Sequence, residues 1–573
     1  MKGEIILSTR LRRSLFVTGL GLCLHAPSIA QDRTPPVPAT SAVAASLKAI
    51  NGRNLLKHIK VLASDEFEGR SPGTNGETLT VAYVKQQFTR LGLASGSPDG
   101  SYVQQVPMMG VTSTPKLAFS VGGKATPLNF PGDFVAFSPH AERDIRIHDS
   151  ELVFVGYGVV APEFGWDDYK GADLRGKTLV MLINDPPVPD PNNSAKLDPA
   201  MFKGEGMTYY GRWTYKYEMS AKLGAVAAII VHETKPAAYP YEVVVNSWAR
   251  ENFILKTDDP NASFPAVPAW IHLDGARDLF RAAGLDFETL KRSALSREFK
   301  PVSLGVTATF QVQNTLREIA SNNVVAKIEG SDPELKNECV VYSAHWDHFG
   351  VNDKLPGTRT QQIFHGASDN ASGVATLLEL AKAYKALPAA PKRTIVFIAT
   401  TGEEQGLLGA QYYVHHPLYP LYRTLVNINI DGINTWGRTK DVEIIGFGHS
   451  SVDDIVEKFA AMQGRSVRPE TRPELGSFYR ADQFEFAKVG VPVVYVKGGK
   501  DYIGKPESYA RDRVDEYIAQ RYHKVTDTVR SDWNLEGAVE DTRLLFMVGY
   551  DVAQGSEIPQ WKAGSEFKRS DKR

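Results

Sequence analysis

Apolar and polar positions follow two periods along this chain, and the switches between them outline the fold. In residues 42–62, Leu47, Ile50, Leu55, Leu56 and Ile59 recur at helical spacing, and Val81, Val84 and Phe88 form a second helical face before Gly92. Residues 103–147 alternate with the two-residue period of strands, interrupted by Gly and Pro. The texture changes near Glu151. Residues 152–155, 177–183 and 227–231 are short apolar runs, and residues 215–223 are helix-like, which predicts a compact β/α module reaching about residue 310. From Ser321 onward, predicted strands at 323–328, 338–343, 394–399, 424–430 and 493–496 alternate with predicted helices at 374–387, 407–415, 452–462 and 535–552. Apolar strands separated by helices predict an α/β fold with a mixed, mostly parallel sheet flanked by helices.

Length and charge narrow the partners. A chain of 573 residues exceeds what one core normally serves, so two or three domains are expected. With 65 Lys and Arg against 66 Asp and Glu, nothing electrostatic points to nucleic acid or an anionic membrane surface. Lys2, Arg10, Arg12 and Arg13 precede the short apolar run 14–24, and Ser28-Ile29-Ala30 ends in a small-x-small pattern. That combination reads as a signal peptide over residues 1–30 and predicts an exported protein, periplasmic or secreted. Residues 32–41 (DRTPPVPATS) read as a linker, and no later stretch is long and apolar enough to span a bilayer. Cleavage after residue 30 removes Cys23 and leaves Cys339 alone in the apolar run CVVYSAH. No intramolecular disulfide is then available, and Cys339 is expected as a small buried hydrophobe.

In a parallel sheet, ligands collect at the C-terminal ends of the strands. Four acid- or His-bearing segments fall there: Ser343–His348 (SAHWDH), Ser368-Asp369-Asn370, Thr401–Glu404 (TGEE) and Asn429–Gly432 (NIDG). A fifth, Tyr522–Thr528 (YHKVTDT), precedes the last helix. On extended backbone His345 and Asp347 share a face, which lets the carboxylate orient a metal-bound imidazole. His348 stays unassigned. Asp369 opens a helix, where helix capping and the bridging of two metals are both open roles. Glu403 and Glu404, read as extended, point to opposite sides, so one can bind metal while the other faces substrate and water. Asp431 is either a turn residue or a ligand, and His523 either a surface histidine or a ligand. Two His and three carboxylates form a mixed N/O donor set that suits zinc, with manganese or cobalt chemically admissible.

The ordered set SAHWDH, GASDNASG, TTGEEQGLLG, NINIDG, GSFYRADQFEFAKVGVP and YHKVTDT resembles the M28 family of co-catalytic zinc peptidases. The resemblance covers roughly residues 45–150 and 315–555 and implies a phosphorylase/hydrolase-like fold. It implies two Zn2+ ions, one on His345 and Asp431 and the other on Glu404 and His523, with Asp369 bridging. Glu403 then matches the general base, Asp347 the acid orienting His345, and Asp369–Asn370 a cis peptide. The Ser-Asp pair usual near the substrate reads Ala481-Asp482 here, with Asp482 and Tyr479 as substrate-side candidates. Residues 151–310 resemble a protease-associated (PA) domain, through GYGVVAPEFGWDDYKGADLRGKTLVMLINDP and SAKLGAVAAIIVHE. The implied organisation is a signal peptide 1–30, peptidase parts 31–150 and 311–560 around the insertion 151–310, and a tail 561–573. The implied activity is aminopeptidase action on peptides. Carboxypeptidase action on the same metals, glutaminyl cyclisation and a metal-free receptor-like role are the alternatives, and Arg472, Arg480 and Lys497 are candidate carboxylate readers for the first.

Overall fold

The computed structural model describes residues 37–257 and 263–569, so the signal-peptide reading of residues 1–30 lies outside the described residues. Fully buried strands occupy the centre of the molecule. Cys339–His345, Thr394–Thr400 and Thr424–Asn429 are buried at every position, as strands covered on both faces must be. They pair in parallel, and Val493–Gly498 extends them in parallel. One face is covered by helices that include Gly52–Leu62, Ser372–Lys385 and Glu536–Gln554, and the other by Leu408–His415 and Gln483–Lys488.

A single strand joins this sheet to the inserted module. Val302–Ile328 pairs antiparallel with Asp144–Phe154 through its first half and with Thr394–Thr400 through its last residues. Val103–Val121 lies antiparallel along most of its length. Its burial alternates through Leu304, Val306, Ala308, Phe310 and Val312, then becomes continuous at Val324–Ala326, where both faces are covered. The module continues the sheet with Thr178–Leu182, Ala227–His232 and Val267–His272, all parallel. Its core also takes Leu117, Phe119, Ile145 and Ile147. The second core therefore begins before residue 151, because Val103–Val121 and Asp144–Phe154 pack their ends into it beside the first half of Val302–Ile328.

Three expectations change. The predicted linker 32–41 gives way to a helix from Val37, since Pro38 falls in a first turn that needs no N–H donor there. The single helix read over 42–62 is two, Val37–Ala49 and Gly52–Leu62, with the Asn51 side chain capping the second through the Asn54 N–H at 3.0 Å. The helix Tyr509–Gln520 and the strands Asp441–Ile444 and Ser466–Pro469 are additional elements. Cys339 is buried and free. Among the described residues no helix is long and apolar enough to cross a membrane.

Candidate metal centre

The candidate ligands converge at the C-terminal edge of the central strands. His345 ends its strand with Nε2 3.2 Å from Asp369 Oδ1, 3.7 Å from Asp431 Oδ1 and 3.9 Å from Glu403 Oε2. His523 places Nε2 3.5 Å from Asp369 Oδ2 and 3.1 Å from Glu404 Oε2. The two oxygens of Asp369 thus face different imidazoles. Asp431, just beyond the strand Thr424–Asn429, receives the Tyr495 hydroxyl at 3.3 Å, and Lys497 donates to its carbonyl.

Each ligand is held by a local reason. Asp369 sits in the turn 367–371, and its peptide bond to Asn370 is cis. Helix capping is not its role: the Ser368 and Asp369 N–H groups are taken by buried Asp527, at 3.0 Å each to Oδ2. That leaves the Asp369 carboxylate free to face both histidines. Glu403 and Glu404 occupy a 3-10 turn, Glu403–Gln405, rather than extended backbone, because Gly402 at φ 65° ends the strand. Asp347 anchors that turn, accepting the Glu403 N–H at 3.1 Å and the Glu404 N–H at 3.4 Å. Its carboxylate lies 3.7 Å from His345 Nδ1, while its carbonyl is nearer at 3.2 Å.

Three contributors have no role assigned from the sequence. His348 contacts Glu404 Oε1 through Nδ1. The module reaches His523 directly: Ser247 Oγ lies 3.3 Å from Nδ1, and Asn246 Nδ2 donates to its carbonyl at 3.1 Å. Arg70, fully buried, donates to the carbonyls of Trp346, Leu62, His365 and Gly366.

The donor chemistry fits a pair of divalent cations. His345 Nε2 is buried without a hydrogen-bond partner although three carboxylates surround it. Burial opposes protonation of His345, but Glu403, Asp347, Asp369 and Asp431 outweigh it and raise its pKa well above the usual imidazole value. Burial is likewise outweighed at His523, where Glu404 and Asp369 raise the pKa to about 9. Glu403 is pushed well above the carboxylate range by burial, against His345 and with Asp431 and Glu404 adding to it. In these positions the imidazolium charges offset crowded carboxylates, a task that metal cations take over while leaving the imidazoles neutral. His345, Asp369 and Asp431 form one cluster of donor atoms compatible with a single ion. His348, Asp369 and Glu404 form another such cluster, and His523 Nε2 faces the same two carboxylates at 3.5 and 3.1 Å.

Of the substrate-side candidates, one reaches the cavity and one does not. Tyr479 lines the same cavity, but its hydroxyl donates to Glu566 at 2.9 Å and accepts from Lys203 at 3.4 Å. Asp482 is buried, accepts from Thr400 Oγ1, and does not line the cavity. Burial raises its pKa to about 7, and its position at the foot of the helix Gln483–Lys488 keeps it from the cleft. The cavity itself is about 940 Å³ and lies between the module and the sheet edge, with Asp369, Glu403, Glu404, Asp431 and His523 in its wall.

The fold and part of the sequence are shared with known proteins. An aminopeptidase from Aneurinibacillus sp. strain AM-1 shares the fold at a TM-score of 0.51 and 19% identity, over 90% of this chain and 97% of that one. Aminopeptidase YwaD of Bacillus subtilis is 40% identical over 146 residues, which is 24% of this chain and 29% of that protein. A vacuolar membrane protease of Lachancea thermotolerans is 38% identical over 112 residues, 20% of this chain and 10% of that protein. The chain thus spans less than a third of the length of these curated relatives. The description Peptidase family M28 matches residues 323–547, the segment bearing all five convergent ligands. Through that segment the chain is similar to peptidase family M28.

Proposed function

We propose that this protein is an exported, zinc-dependent aminopeptidase that removes amino-terminal residues from peptides. The observation that carries the reading is the divided carboxylate of Asp369, with Oδ1 toward His345 and Oδ2 toward His523. In this reading His345 and Asp431 hold one zinc ion, Glu404 and His523 the other, and Asp369 is shared. Bound zinc supplies Lewis acidity, which acidifies a water and polarises the scissile carbonyl.

The chain's own groups do the remaining work. Glu403, in the cavity wall with Oε2 3.9 Å from His345 Nε2, takes a proton from the attacking water and returns it to the leaving amine. Asp347 fixes the turn that aims Glu403 and, through its carbonyl, orients His345. The carboxylates exposed to the cavity favour an α-ammonium group beside the metals, which supports amino-terminal over carboxyl-terminal cleavage. Residues 151–310, which resemble a PA domain, wall off the cleft and steady His523 through Ser247 and Asn246. Export rests on the pattern of residues 1–30, and amino-terminal sequencing of the protein recovered from its host tests it.

Glu403→Gln tests the catalytic assignment. Turnover of leucine p-nitroanilide is expected to fall by about 10²–10⁴-fold with metal content unchanged. Retained activity would remove Glu403 from the reaction, and loss of metal would make it a ligand. Acetylation of the substrate's amino terminus is expected to abolish cleavage, and cleavage that persists would rule out an aminopeptidase.

A further inference from the structure

Most cations in the cavity wall are already neutralised. Lys256 pairs with Glu318, Arg472 with Glu474 and Asp515, Lys488 with Glu485, and Lys500 with Glu443. Lys497 spends its ammonium on the Asp431 carbonyl. Arg212 and Arg480 are different. Both line the cavity, and neither has a carboxylate within 4.0 Å among the described residues. The Nε of each is buried without a hydrogen-bond partner. Arg480 uses Nη2 on the Ala237 carbonyl at 3.2 Å and lies 5.2 Å over the Tyr239 ring, while Arg212 lies 5.7 Å over the Trp213 ring.

The two guanidiniums come from different parts of the chain, Arg212 from the module and Arg480 from the loop before Gln483–Lys488, where it also meets the module at Ala237 and Tyr239. They repel each other: burial first, and Arg480 after it, lower the Arg212 pKa to about 10. Tyr522, which precedes the ligand His523, is within electrostatic reach of Arg480 and of Asp369, Glu404 and Glu403. Both charges line the cavity whose wall also holds Asp369, Glu403, Glu404, Asp431 and His523. Two like charges kept partly buried with unused N–H donors form a receptor for an anion, and a planar fork of donors matches a carboxylate.

We propose that Arg212 and Arg480 together bind a carboxylate of the substrate, across the seam between module and sheet. The proposal rests on the peptidase reading of the same cavity. Two sources present this chemistry: the acidic side chain of the amino-terminal residue, or the terminal carboxylate of a very short peptide. Either one exchanges guanidinium–guanidinium repulsion for charge-assisted hydrogen bonds and makes the cleft selective among aminopeptidase substrates.

Two matched substrate pairs separate the sources. Leucylglycine against leucylglycine amide reads the terminal carboxylate, and glutamyl p-nitroanilide against glutaminyl p-nitroanilide reads the side chain. The wild type is expected to prefer the charged member of one pair by at least about tenfold in kcat/KM. R212Q and R480Q are expected to bring that ratio toward one, mainly through KM, while R480K retains part of it. A wild-type ratio near one in both pairs overturns the proposal. So does an equal loss on charged and neutral substrates in the variants, which would make the arginines structural clamps of the seam. Calorimetric binding of leucylglycine, glutamine amide, glutamate α-amide and leucylglycine amide to zinc-loaded E403Q gives a readout without turnover. Preference for a carboxylate there, with no hydrolysis by the wild type, keeps the subsite and discards the peptidase reading. Hydrolysis without any such preference does the reverse.

Discussion

Replacing Arg70 by Met tests how the two halves of the metal centre are held in register. Arg70 Nε donates to the carbonyl of Trp346 at 2.8 Å, one residue after the candidate ligand His345. Nη1 and Nη2 donate to His365 and Gly366 at 2.7 and 2.9 Å, in the turn leading to Asp369, and Nη1 also reaches Leu62 at 2.7 Å. Burial lowers the Arg70 pKa to about 10, with Asp347, Asp527, Asp369 and Glu404 opposing it, so the group stays charged at neutral pH. Charged hydrogen bonds contribute about 1.5–3 kcal/mol each, but removing the guanidinium also relieves its own desolvation. The net cost expected for Arg70→Met is therefore about 3–5 kcal/mol, the range for removing one partner from a buried charged network.

Two measurements separate stability from positioning. Urea unfolding of metal-free protein gives the first, and competition for zinc with a chromogenic chelator gives the second. Loss of a residue that orients metal-bearing segments is expected to weaken zinc binding by about 10–100-fold. Arg70→Lys keeps the charge but not the fork, and is expected to fall between wild type and Met. A cost below about 1 kcal/mol, or lost stability with zinc affinity unchanged, would refute the reasoning.

Ser247→Ala removes the hydroxyl beside His523 Nδ1 and is expected to weaken one of two zinc ions by about tenfold, with Ser247→Thr restoring it. Chelator titration checks this, and an equal effect on both ions, or none, contradicts it. His58, bonded to the Tyr83 hydroxyl at 2.7 Å, has its pKa lowered to about 4 by burial, with Lys57 and Lys382 adding. Between pH 6.5 and 4 the unfolded chain gains a proton there that the folded chain refuses, so stability falls as pH falls. After discounting for partial exposure the loss is about 2 kcal/mol, to be read as the difference in urea midpoint slope between wild type and His58→Gln; identical pH dependence would contradict it.

The half that bears the candidate ligands is largely readable because its central strands are buried on both faces. Such strands appear as apolar runs in Cys339–His345, Thr394–Thr400 and Thr424–Asn429, and the polar residues that end each run mark the sheet edge. What escaped was long-range. Arg70 meets Trp346 across 276 positions, and Ser247 meets His523 across 276 as well, so no local spacing announces either contact. His348 shares its segment with His345, and only the folded turn at Glu404 gives it a partner. Glu403-Glu404 reads as extended from the sequence, whereas the left-handed Gly402 turns the backbone into a 3-10 turn there. Tyr509–Gln520 is mostly polar and buries only Ala510, which leaves it without the apolar stripe that identifies a helix.

The central claim is tested most directly by anomalous X-ray diffraction at the zinc edge from crystals of the purified protein. Two peaks are predicted, one touching His345 and Asp431, the other Glu404 and His523, and both touching Asp369. One peak alone, none, or density bound by other residues would contradict the account.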